Sequence, residues 1–96
     1  MTPFVRCLVV VAALALAPPA WAECYADYKA SKDGPLRLHY GVMEIPDDAC
    51  NPGAAQGVAE RRLRDAGWKL LGVMSVFGRE GLDERRGSAG EFFLRY

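Results

Sequence analysis

Histidine occurs once in this sequence, at His39, and cysteine three times, at Cys7, Cys24 and Cys50. A single imidazole cannot build a His-rich zinc site, and neither His-Glu-x-x-His nor a Cys/His cluster accompanies it. No Cys-x-x-Cys is present to depress a thiol pKa, so a redox-active pair lacks its usual spacing. Net charge is missing as well. The 12 basic and 12 acidic side chains cancel, and this balance argues against nucleic acid, which calls for a concentrated basic surface. Ser75 and Ser88 stand outside any Gly-x-Ser-x-Gly context, and the glycines between Gly78 and Gly90 form no phosphate-binding fingerprint. Neither internal repeats nor low-complexity tracts occur. No cofactor and no metal are implied.

What is there begins with an address. Arg6 precedes an apolar run from Cys7 to Ala17, then Pro18-Pro19 and Ala20-Trp21-Ala22. These are the basic, apolar and small-residue parts of a secretory signal, with cleavage expected after Ala22. The run falls short of the roughly 20 apolar residues a spanning helix requires, so no stable membrane anchor is expected after cleavage. Glu23 before Cys24 does not fit a lipoprotein site. The reading is a signal peptide over 1–22 and one domain over 23–96, periplasmic or secreted. Losing Arg6 leaves that domain a formal net charge of −1.

Cys7 departs with the signal, and the remaining pair, Cys24 and Cys50, is expected to form a structural disulfide in an oxidising compartment. So small a domain buries little surface, and closing a loop of this length contributes about 3 to 4 kcal/mol.

Along the domain, Tyr25 to Lys32 is polar with spaced aromatics and admits a short helix over Ala26 to Ser31. Leu36 to Ile45 alternates as a half-buried strand, with Leu36, Leu38, Tyr40 and Val42 on one face and Arg37, His39 and Met43 on the other. Asn51 as cap and Pro52 at the first helical position start a helix, its apolar stripe made by Ala55, Val58, Ala59, Leu63 and Ala66. Gly67 ends it. Trp68 to Phe77 is a strand apolar on both faces, Gly78 to Gly90 a polar loop, and Glu91 to Tyr96 a closing strand. The predicted fold class is α+β: a small three-stranded sheet of β-α-β-β order, one main helix and one disulfide. A right-handed crossover makes the first two strands parallel, with the C-terminal strand inserted antiparallel between them in preference to a simple meander, which the pattern also allows.

The stretch Ala54 to Tyr96, through Leu63, Gly67-Trp68-Lys69-Leu70, Val73 and Phe93-Leu94-Arg95, resembles a family of small bacterial domains of unknown function. Those domains carry a helix, a Gly-Trp-x-Leu strand and a short closing strand. The Cys-Tyr-Ala-Asp-Tyr-Lys opening and the Leu-Arg-Leu-His-Tyr-Gly strand look like those of uncharacterised exported bacterial proteins. The resemblance implies the order of elements and no activity.

His39 with Arg37 and Tyr40 nearby is the one candidate for binding an anion or moving a proton. Glu44, Asp47 and Asp48 are oxygen donors without an EF-hand spacing, and read as turn acids. One helix covers one face of a sheet, so the second face of the Trp68 to Phe77 strand needs a cover. Three are available: the N-terminal segment, a second copy, or another exported protein. The expected function is a non-enzymatic binding module, an inhibitor or accessory subunit working through its sheet or the Gly78 to Gly90 loop. The alternatives are a small enzyme using His39 with Arg37, and a self-assembling structural protein.

Overall fold

The computed structural model describes residues 23–96; the signal read in residues 1–22 lies outside the described residues. The elements in chain order are β1 (Cys24–Lys32), β2 (Arg37–Ile45), α1 (Pro52–Asp65), β3 (Lys69–Phe77) and α2 (Asp83–Ala89). Short 3-10 turns occupy Asp47–Ala49, Arg79–Gly81 and Gly90–Phe92. The fold is α+β, with a three-stranded antiparallel sheet, one main helix and one disulfide.

β2 and β3, joined through α1, flank an antiparallel strand in the order β2-β1-β3. The inserted strand is β1, from the start of the domain. The element order is therefore β-β-α-β, and the short helix expected over Ala26 to Ser31 is strand. The reason is alternation: Cys24, Ala26, Tyr28 and Ala30 are buried in the core under α1, while Tyr25, Asp27 and Lys29 point to the other face. Small Ala26 and Ala30 let the helix come close. A turn with Gly34 at φ +77° returns the chain into β2.

Asn51 caps α1 by accepting from the Ala54 backbone N–H at 2.9 Å, and Pro52 stands at its start. At the other end the Trp68 N–H bonds the Leu63 carbonyl and the Gly67 N–H bonds that of Arg64. Those two bonds make a Schellman stop, which needs the left-handed φ of +87° at Gly67. Ala55, Ala59 and Leu63 are buried on the sheet and Val58 half-buried, whereas Ala66 is the exposed cap.

β3 departs from simple alternation. Its register against β1 slips twice, so that Met74 and Leu71 have no partner residue. The two bulges convert a period of two into three: Leu70, Val73 and Val76 all pack into the core under α1. Met74 and Leu71 are turned out, each 56% exposed.

Cys24 and Cys50 are bonded, their Cα atoms 5.9 Å apart across 26 residues. This link ties β1 to the residue before the cap of α1. A disulfide in a small domain, with no helix among the described residues long and apolar enough to cross a membrane, is compatible with an extracellular location.

The second face of the sheet is covered in part by residues that the sequence suggests are loop and strand. Gly78 to Gly90 folds into a 3-10 turn and α2. Leu82, Ala89 and Phe93 pack with Tyr25, Val42, Tyr40 and Phe77 as a second core. Glu91 to Tyr96 is not a strand: Phe93 makes one parallel bridge to Val42, and the Leu94 N–H bonds the Val42 carbonyl at 2.8 Å. Phe92 packs into the α1 core and Phe93 into the other. The C-terminal residues thus straddle the outer edge of β2. The cover comes from the chain itself, though not from the N-terminal segment, because β1 is spent inside the sheet.

Candidate functional site

β2 places Arg37 and His39 on the α1 side of the sheet, where alternation puts them, but they do not converge on a common recess. His39 is 8% exposed, with Phe92 stacked on its ring at 3.7 Å and Trp68 edge-on at 4.3 Å. Its Nε2 lies 3.0 Å from the Tyr28 hydroxyl. Nδ1 is buried with no hydrogen-bond partner. In either tautomer at least one polar atom of the Tyr28–His39 pair stays unmatched, which is costly in an apolar surround. Burial pushes the imidazole pKa below its ordinary value; Glu91 opposes the shift and Lys32 assists it. Burial likewise holds the Tyr28 phenol above its usual range.

Arg37 remains exposed, its guanidinium 5.9 Å from the Trp68 ring, with the Lys32 ammonium over the same ring at 4.6 Å. A sealed, neutral imidazole and a solvated guanidinium are the arrangement of a core histidine beside a surface cation. Gly41 allows the packing, since a Cβ there would lie 2.6 Å from Tyr28 Cζ.

The principal polar constellation lies on the opposite face and is not apparent from sequence. Asp27, buried at the centre of β1, accepts hydrogen bonds from Ser75 Oγ at 2.6 Å, Tyr40 Oη at 2.8 Å and Arg85 Nε at 3.1 Å. Its side chain is 8% exposed and that of Arg85 20%. Burial alone would raise the carboxyl pKa, but the bonds from Ser75, Tyr40 and Arg85 outweigh it and hold it below the ordinary value. Burial and the neighbouring Asp27 push the Tyr40 phenol up to about 12. Arg85 also donates to the Gly81 carbonyl at 2.7 Å and lies 3.8 Å over the Phe77 ring. Every donor around the carboxylate is spoken for, so the cluster fastens α2 to the sheet. Its members lie 13, 48 and 58 residues from Asp27 in sequence, and no local motif announces them.

Among the described residues no group of three or more His, Cys, Asp or Glu is placed to hold a metal ion. Asp47 and Asp48 sit in an exposed 3-10 turn.

Two surfaces stay open. β3 pairs with β1 alone among the described residues, and beside its outer edge lies an open cleft of about 670 Å³ lined by Met74, Val76, Phe77, Asn51 and Pro52, among others. The second surface is the half of the second sheet face beyond α2, towards the β1–β2 turn. There a shallow apolar groove of about 290 Å³ runs between Leu38 and Leu71, with Lys29 and Tyr40 at its side. Compared with protein-family models, curated proteins and solved structures, the chain matches none of them.

Proposed function

We propose that this chain is an exported bacterial binding module, periplasmic or secreted and non-enzymatic, that serves as an inhibitor or accessory subunit of another exported protein. The observation that carries the reading is the outer edge of β3: nine residues, Lys69 the only charge, with Met74 turned out by a bulge beside an open cleft of mixed polarity. Native sheets blunt such edges or use them, and an extended segment of a partner can add there through main-chain hydrogen bonds. The cleft at Pro52 then accepts one of its side chains. Sheet-edge binding is preferred over the Gly78 to Gly90 segment because that segment is committed to α2 and the Asp27 cluster.

Export rests on the pattern of residues 1–22 and on the disulfide, and bacterial origin on the Gly67–Leu70 resemblance. A photo-crosslinking residue at position 74 tests the binding reading. An exported protein captured there, and lost on Pro52→Asp in the cleft, supports it. Crosslinking only to a second copy, with a dimer in light scattering, favours the self-assembling alternative. Repeated recovery of neither counts against the whole reading.

A further inference from the structure

We propose that the open half of the second sheet face, at the β1–β2 turn, docks reversibly on an anionic lipid bilayer. Leu36, Leu38 and Leu71 are 66%, 67% and 56% exposed there, an unusual concentration of bare leucine outside both cores. All three lysines of the chain gather at the same end with Arg37: Lys29 and Lys69 on this face, Lys32 and Arg37 on the α1 face beside Trp68. None of the four is in an ion pair among the described residues. The acids at this end are Asp33 in the turn, Asp65 at the close of α1, Glu60, which lines a recess with Lys69, and Glu91, whose charge, like that of Lys32, reaches His39. The last three lie towards α1 and the C-terminal residues. Glu23, Glu44, Asp47 and Asp48 sit at the other end of the sheet, where Cys24 pairs with Ile45. Arg79 is paired with Glu23 and Arg62 bonded to the Glu44 carbonyl at that far end, whereas Lys29 and Lys69 leave the turn end of the second face with unpaired positive charge.

Charge decides the occupant. A two-fold pairing of this face with a second copy would set Lys29 and Lys69 against the same two cations, which is repulsive. An anionic surface is complementary to it, and repels the acidic end so that the turn points inward. Leu36 and Leu38 lie at and beside the tip of the hairpin, where they can enter the headgroup layer together while the cations stay at its level, the two-signal arrangement that makes peripheral binding effective. Docking this way uses Lys69 and Leu71 at the near end of β3 and leaves the Met74 end with its cleft accessible, so the inference goes beyond the proposed function and does not depend on it.

The test is vesicle flotation of the processed chain beginning at Glu23, which holds both cores, all three strands and the disulfide. Vesicles of phosphatidylcholine alone are compared with vesicles containing phosphatidylglycerol, at low and high salt. Binding is expected on the phosphatidylglycerol vesicles and is expected to weaken with salt. Lys29→Gln and Lys69→Gln should each weaken it about fivefold, and Leu36→Ser or Leu38→Ser about tenfold. These four positions are exposed, and unchanged circular dichroism confirms that each variant folds. Equal binding to both vesicles, or binding to neither, overturns the proposal. So does capture by soluble polyglutamate without flotation, which would assign the face to an acidic protein. Crosslinking at position 74 reads the β3 edge separately, so either proposal can fail alone.

Discussion

Replacing Arg85 by methionine removes the one cation at the Asp27 carboxylate while keeping an unbranched stem on Phe77. Breaking a fully buried pair costs about 3 to 5 kcal/mol. The Arg85 side chain keeps a fifth of its exposure and two neutral donors remain on Asp27, so the expected loss is smaller, about 2 kcal/mol. A domain of this length is stable by about 4 to 11 kcal/mol, and with a slope of about 1 kcal/mol per molar urea the unfolding midpoint should fall by about 2 M. Asp27→Asn should cost a similar amount. The double variant should cost little more than either single, because both remove one interaction.

Protonation supplies a second reading of the same bond. Asp27 has its pKa lowered in the folded chain, so on acidification the unfolded chain takes up the proton first. The stabilisation is present above the ordinary carboxylate pKa and is lost as pH falls through the folded value. Urea titrations across that window, with hydrogen exchange at the Asp83–Ala89 amides, check both points. Additive single variants, or α2 amides as protected in Arg85→Met as in the parent, would refute the assignment of the cluster as the fastening of α2.

Replacing Cys24 and Cys50 together by alanine should cost about 3.5 kcal/mol from the closed loop of this length, measured by urea unfolding, while mass spectrometry of the processed parent, which lacks Cys7, finds no free thiol. Gly41→Ala drives a methyl into the Tyr28 ring and should cost about 1 to 3 kcal/mol, seen as a lower Tm. Because the His39 pKa is lowered by burial, the unfolded state again binds the proton first. Stability should therefore fall as pH drops through the ordinary histidine range, and His39→Phe should flatten that slope between pH about 7 and 5.

Legibility followed how local each signal is. Asn51-Pro52 and Gly67 bracket α1 within one helix length, and β2 alternates in plain view. Two cysteines leave one pairing. The first strand hid because alanine and lysine are poor strand formers, and Ala26 and Ala30 are small for a reason set by the helix above them. The last third hid for the opposite reason. Phe92, Leu94 and Tyr96 alternate like a strand, yet Phe92 and Phe93 enter different cores from either side of β2. Asp27 looks like any surface acid until Ser75 and Arg85 arrive from distant residues.

Phe93 and Leu94 on Val42 carry a consequence for assembly. With the middle of the β2 rim occupied at Val42, hydrogen-bonded growth along a full strand length is open at β3. Two molecules meeting edge to edge would finish as a closed pair of six strands, because neither retains a second docking rim for a third. Removing the plug, by ending the chain before Glu91, would give each molecule two sticky sides and convert a self-limiting contact into a fibre-forming one.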